Sequence, residues 1–186
     1  MSQPLKEKYK SEIVPNLIKT FGYKNIHQVP KITKIQINRG LGAAASNNST
    51  LQQTIEEIRI ITGQQPIVTM AKKSIAGFKL RENQPLGVTV TLRNTLMFSF
   101  LERLINLVLP RVRDFNGLNP NGFDQHGNYN FGLDNQLVFP EISYESVDQQ
   151  RGFNITIVTT AKTQVEGFNL LQSYGFPFKK KKIKLN

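Results

Sequence analysis

Apolar residues recur every four positions at Leu5, Tyr9, Ile13, Leu17 and Phe21, which predicts an amphipathic helix over residues 3–21. Pro15 should kink or interrupt it, and Gly22 should end it. Over Lys31–Arg39 the period drops to two, the spacing of a half-buried strand. Thr33, Ile35 and Ile37 are expected to face inward there, with Lys34, Gln36 and Asn38 outward. The turn Gly40-Leu41-Gly42 follows. Ser49 and Gln52 then have the spacing of a capping box ahead of Leu51, Ile55, Ile58 and Ile61, and Gly63 is the stop. Glu56 and Glu57 read as the solvated side of that helix.

Gln65–Met70 reads as a short strand. Leu86–Arg93 alternates fully: Leu86, Val88, Val90 and Leu92 share one face, and Gly87, Thr89, Thr91 and Arg93 the other. Asn94 or Thr95 should cap an apolar helix carrying Phe98, Leu101, Leu104, Ile105 and Val108, ended by Pro110. Residues 116–135 are rich in Gly and Asn without periodicity, a long loop of the kind that is functional or disordered. Gln136–Pro140 and Phe153–Thr160 read as strands. Thr163 and Glu166 cap a last helix with Val165, Phe168 and Leu171, and Gly175 stops it. The pattern predicts an α+β fold: one domain over 1–178, with helices packed on one face of a mostly antiparallel sheet. A basic extended arm, a long loop and a basic tail over 179–186 complete it.

Charge sharpens this picture. The 186 residues carry a net charge of +11, which favours an anionic partner, nucleic acid before an anionic membrane surface. With no cysteine, disulfides, thiolate zinc sites and cysteine nucleophiles are all excluded. No apolar run of signal-peptide or membrane-spanning length occurs, so neither secretion by a visible signal nor a membrane partner is expected. The sequons at Asn47 and Asn48 then read as chance. Frequent Asn and the nearly all-Lys tail hint at an AT-rich coding genome.

Catalysis finds little support. His27 and His126 are far apart in sequence and read as solvated loop residues. The pair Gly40 and Gly42 lacks the third glycine of a dinucleotide fingerprint. No metal site assembles at standard ligand spacing, and no cofactor is expected. Binding is better supported. Lys72, Lys73, Lys79 and Arg81 flank Ile75-Ala76-Gly77-Phe78 with one acid, Glu82, among them. Such a tip can lay an aromatic ring against a base or sugar while the cations take phosphates. The plainer alternative is a surface hairpin with Phe78 tucked into the core. The rows Lys34/Gln36/Asn38 and Thr89/Thr91/Arg93 form a polar sheet surface able to read RNA by shape and sugar hydroxyls, or else reflect ordinary strand amphipathicity.

A set of ordered motifs then resembles one family. They are INRGLG at 37–42, ITGQQP at 61–66, AKKSIAGFKLRENQPLGVTVTLR at 71–93, LPRVRDF at 109–115, FDxxGNY at 123–129, FPEI at 139–142, RGFNITIVTTAK at 151–162 and GFPF at 175–178. They look like the bacterial-type large-subunit ribosomal protein number five, from the first helix to about Phe178. NIHQVPKITKIQINRGLG is most similar to plastid and cyanobacterial members. The resemblance implies a non-enzymatic constituent of the large subunit that docks 5S rRNA in the central protuberance and touches large-subunit rRNA. It also implies contact with the peptidyl-site tRNA elbow and, across an intersubunit bridge, with a small-subunit protein. The 5S-facing residues would be Asn38, Gln64 and Thr91, with Lys34, Gln36, Arg39, Thr89 and Arg93 beside them. The tRNA-facing residues would be Lys72, Lys73, Ser74, Gly77, Phe78, Lys79 and Arg81. The implied place is the ribosome of the chloroplast stroma, with the bacterial cytoplasm as alternative. Departures are Asn116 and His126 where members commonly carry Arg, and Asn94-Thr95 for a usual Gly/Arg-acid pair. A free-standing RNA-binding regulator and an RNA-modifying enzyme are the rival readings.

Overall fold

Among the described residues two α-helices carry a proline in their interior, Pro15 and Pro110, and both widen by one turn of π-helix just before it. Pro15 lacks the N–H that a preceding carbonyl needs, and its ring crowds that carbonyl. The first helix therefore runs as α1 (Pro4–Lys8), a π-turn (Tyr9–Ile13) and α2 (Val14–Phe21), closed by Gly22 at φ 67°. Pro110 does the same to the helix that opens with α4 (Asn94–Arg103): a π-turn (Leu104–Val108) precedes α5 (Leu109–Arg111). The interruption expected at Pro15 is thus a widened turn rather than a break. The computed structural model describes residues 4–144, 147 and 149–179. The expected basic tail beyond Lys179 lies outside the described residues.

Between these helices run β1 (Ile32–Gly40), α3 (Asn48–Thr62), β2 (Ile67–Met70) and β3 (Pro85–Leu92). After α5 come β4 (Tyr129–Leu133), β5 (Phe153–Thr159) and α6 (Gln164–Tyr174). The five strands form one sheet in the order β2-β3-β1-β5-β4. β2 pairs antiparallel to β3, with Ile67 opposite Thr89 and Thr69 opposite Gly87. Elsewhere partner numbers fall as the others rise: Thr160 N–H donates to Lys31 O, and Thr33 Oγ1 to Val158 O. The chain is α+β with an antiparallel sheet, as its periodicities predict.

The described residues fall into two compact units. One comprises those of Met1–Ile35, Arg93–Phe131 and Thr156–Asn186, the other those of Gln36–Leu92 and Gly132–Ile155. In the first, Phe100, Leu101, Leu104, Val108, Leu109 and Leu170 are fully buried. There the π-turn after α1 packs on α6, where the Tyr9 and Tyr174 rings stack at 6.1 Å. In the second, α3 lies on β3, and Ile37, Ile58, Ile61, Val88, Val90 and Leu92 form the core.

Several sequence expectations need correcting. Asn47, not Ser49, caps α3: its side chain accepts from the Ser49 N–H at 3.1 Å, so the helix begins two residues earlier. In β1 the buried position is Ile32, while Thr33 is exposed. Val165 is 61% exposed rather than core. Gln136–Pro140 is no strand; Gln136–Val138 is a single 3-10 turn capped by the Asn135 side chain. The 116–135 segment is not structureless, because β4 occupies its second half. Its first half closes on an Asp124 turn whose carboxylate accepts from the backbone N–H of His126 and of Asn128. Asn94 and Thr95 do not cap α4: the flanking residue is Arg93, which makes no side-chain cap bond, and Asn94 sits at φ 50°.

Candidate nucleic-acid interface

Strand alternation sorts the predicted residues. In β3 Val88, Val90 and Leu92 are buried, and in β1 Ile35 and Ile37 are; Thr89, Thr91 and Gln36 are left half-buried and Asn38 exposed. Two hydrogen bonds tie this polar side together. Thr89 Oγ1 donates to Ile37 O at 3.1 Å, and Gln64 Nε2 donates to Thr91 O at 3.2 Å. Gln64 is positioned by the end of α3, where Thr62 Oγ1 bonds both Ile58 O and Gln64 O. The second unit thus presents an uncharged row of amides and hydroxyls: Gln36, Asn38, Gln64, Thr89 and Thr91. Strand pairing adds two residues that sequence reading missed. Ile67 lies opposite Thr89 and Thr69 opposite Gly87, which puts both on this side, with Ile67 70% exposed. The signal was present in β2, where Ile67 and Thr69 alternate against Val68.

Gly87 is required here by proximity. A Cβ on it would stand 2.4 Å from the Arg39 carbonyl oxygen, so the two backbones approach closer than any side chain allows.

Three predicted residues do not join this row. Arg39 is fully buried, because it follows Ile35 and Ile37 on the inward face. Its Nη1 donates to Glu57 Oε2, its Nη2 donates to Arg151 O at 3.4 Å, and its guanidinium carbon lies 5.4 Å from the Phe153 ring centroid. Burial holds the Arg39 pKa below the ordinary arginine range, against the opposing hydrogen bond and charge of Glu57; nearby Arg151 adds to the lowering. Arg39 is therefore an internal tie and cannot meet RNA with its charge. Glu57, expected on a solvated face, is its buried counter-ion. Lys34 and Arg93 belong to the first unit: Lys34 is half-buried in β1, and Arg93 stands exposed before α4.

The arm is a closed hairpin. Its neck is fixed by Ala71 N–H to Gln84 O at 2.9 Å and Asn83 N–H to Ala71 O at 3.0 Å, with Ala71 buried. Farther out, Ile75 and Leu80 exchange both backbone bonds, and Ser74 Oγ accepts from the Glu82 N–H at 2.9 Å. Ala76–Phe78 makes a single 3-10 turn and Lys79 takes a left-handed conformation at φ 50°. Every residue from Lys72 to Lys79 is exposed, and Phe78 is 80% exposed, so it is not tucked into the core. Lys72, Lys73, Lys79 and Arg81 form no ion pair among the described residues. Ser74 and Gly77 serve the shape, one bonded across the hairpin and one at its tip. His27 and His126 are both exposed, and among the described residues no three metal-ligating side chains gather. Nor is any helix among them long and apolar enough to cross a membrane.

Comparison with known proteins decides what such a surface belongs to. The family described as ribosomal protein L5 matches residues 25–81, and the ribosomal L5P family C-terminus matches residues 85–178. The chain belongs to the ribosomal protein L5 family. It is 60% identical over 178 residues to the large ribosomal subunit protein uL5c of Rhodomonas salina, covering 96% of this chain and 98% of that protein. It is 58% identical over 179 residues to uL5 of Trichodesmium erythraeum (strain IMS101), covering 96% and 99%. To uL5c of Pyropia yezoensis it is likewise 58% identical over 179 residues, with 96% and 99% covered. As an L5 protein the chain is a structural constituent of the large ribosomal subunit rather than an enzyme, and it works in translation with rRNA and ribosomal proteins as partners. The two matches leave only 82–84 between them, on the returning side of the arm's neck.

Proposed function

We propose that this chain docks 5S rRNA through the polar row of its second unit, Gln36, Asn38, Gln64, Thr89 and Thr91. Short amides and hydroxyls suit contacts to sugar hydroxyls and base edges, where selectivity arises, rather than bulk charge pairing. Lys34 and Arg93 add phosphate contacts; Arg39 supports the strand from inside. The arm reaches the elbow of the peptidyl-site tRNA, with Lys72, Lys73, Lys79 and Arg81 on phosphates and Phe78 against a sugar or base. Neighbouring contacts are large-subunit rRNA in the central protuberance and one small-subunit protein across a bridge. The compartment is the plastid stroma, in keeping with uL5c relatives such as that of Rhodomonas salina.

The observation that carries this reading is the arm: four cations with no ion pair among the described residues, around a ring left 80% exposed, on a neck closed by its own backbone bonds. A ring set among cations is the combination that lays an aromatic face on a base or sugar while the cations take phosphates. The test is binding of the full chain to 5S rRNA against a size-matched control RNA across a salt series. Selective binding weakened by Thr91→Ala and Asn38→Ala is expected. Equal binding to both RNAs, with only a steep salt slope, would mean generic attraction and overturn the assignment.

A further inference from the structure

The first unit carries a second candidate surface, remote in sequence from both the arm and the polar row. Phe168 and Phe178 pack with centroids 4.8 Å apart, and Phe123 closes the cluster at 6.0 Å and 5.7 Å from them. Phe123 is buried, as core aromatics are, but Phe168 and Phe178 are only half-buried. They line a groove of about 500 Å³ whose rim holds Gln164, Val165, Gln172 and Lys179. That volume falls within the roughly 300–1,000 Å³ of ligand sites, and the make-up matches their pattern of apolar walls with few polar groups.

The groove floor is pinned. Leu118 N–H donates to Pro177 O at 2.8 Å and Lys179 N–H donates to Leu118 O at 2.9 Å, so Phe178 is held between two backbone bonds. Gly117, at φ 95°, permits this, since a Cβ there would lie 2.9 Å from the Lys179 nitrogen. The rim is open: Val165 is 61% exposed, and Gln164, Gln172 and Lys179 are exposed as well. Among the described residues no acidic side chain lines the groove. In sequence Lys179 is followed by Lys180, Lys181, Lys182 and Lys184.

Aromatic faces, two exposed side-chain amides and a lysine with no acid beside it among the described lining residues form the set that takes a splayed-out base with its phosphate. An apolar peptide would use the walls but leave the amides and Lys179 unmatched. We propose that this groove binds an unpaired nucleotide of single-stranded RNA, with the base against Phe168 and Phe178 and its edge on Gln164 or Gln172. Lys179 takes the adjoining phosphate. This rests on the RNA-binding reading above but uses separate residues.

The experiment uses the full chain and a single-stranded RNA octamer carrying one 4-thiouridine, read by anisotropy and by mapping of the photo-crosslink. Val165→Glu is the chosen variant, because its site is solvated and the added carboxylate repels phosphate at the groove mouth. Expected are crosslinks within 164–179 and a loss of about ten-fold in octamer affinity on Val165→Glu, as when the new carboxylate keeps one base off the Phe168 and Phe178 rings. Binding of 5S rRNA, measured in parallel, should stay within about two-fold of the parent, since the polar row is intact. Crosslinks confined to the arm, or octamer affinity unchanged by Val165→Glu, would overturn the groove as an RNA site. So would displacement of the octamer by an uncharged apolar peptide at equal concentration. Failure of 5S binding alone, with the octamer result intact, would strike the polar-row reading and leave the groove standing.

Discussion

Glu57 is the residue whose loss the structure expects to hurt most for its size. Removing its charge by Glu57→Leu leaves the Arg39 guanidinium fully buried and, among the described residues, with a 3.4 Å bond to Arg151 O and the Phe153 ring as its contacts. Arg39 Nε already lacks a partner, so no spare hydrogen bond absorbs the change. Breaking one half of a buried pair costs about 3–5 kcal/mol. At roughly 2–4 °C per kcal/mol for a chain of this size, the melting temperature should fall by about 6–20 °C. Replacing both partners, Arg39→Met with Glu57→Leu, removes the stranded charge and should recover most of that loss. The assay is urea unfolding followed by circular dichroism, since the chain has no Trp. A Glu57→Leu cost below about 1 kcal/mol, or a double variant no better than Glu57→Leu alone, would refute the internal-tie account of Arg39. Binding of 5S rRNA by a folded double variant should then be close to the parent's, because Arg39 offers RNA no surface.

Leu104→Ala, at a fully buried site in the π-turn, should cost about 2–5 kcal/mol in the same unfolding assay, whereas Lys73→Ala on the exposed arm should leave stability unchanged and weaken tRNA binding. If Lys73→Ala lowered the melting temperature as far as Leu104→Ala, the arm would not be the free hairpin described. Phe78→Ala should reduce tRNA affinity by about 1–3 kcal/mol if the ring stacks on a base, read by filter binding, and a value near zero would remove it from the contact. Asp124 titrates below the ordinary aspartate range: burial, its largest influence, raises its pKa, but the hydrogen bonds from Asn128 and His126 together outweigh it. Its contribution is therefore complete above the unfolded value of about 3.9 and is lost as pH falls through the lower folded value. Asp124→Asn should flatten that acid limb of a stability-versus-pH curve, and an unchanged limb would refute the role of its carboxylate.

What the sequence made legible were features written in one residue's chemistry. Thr163 and Glu166 cap α6 as spaced: Thr163 Oγ1 accepts from the Glu166 N–H, and Glu166 Oε2 reaches back to the Lys162 N–H. The cationic cluster around Gly77-Phe78 was visible too, but whether Phe78 packs into the core was not, and its 80% exposure excludes that alternative. Features that depend on a distant partner were not. Arg39 looks like a surface cation until Glu57 and Phe153 are brought to it, although its odd-numbered place after Ile35 and Ile37 already pointed inward. Ser49 matched a capping box, yet Asn47 reached the free N–H groups first. β4 was hidden by Asn130 and Gly132 between Tyr129, Phe131 and Leu133, where the aromatic alternation was the only trace. Gln136–Pro140 looked like a strand, but with Asn135 bonding the Leu137 N–H the backbone turns instead.

The neck of the arm has a consequence for how this protein can change. Ala71 closes against Asn83 and Gln84 with backbone groups alone, and nothing between Lys72 and Lys79 is buried. The hairpin is thus an interchangeable part. Its length and charge can drift, or be exchanged for a relative's, while the strands on either side keep their pairing and the rest of the chain folds without consulting it.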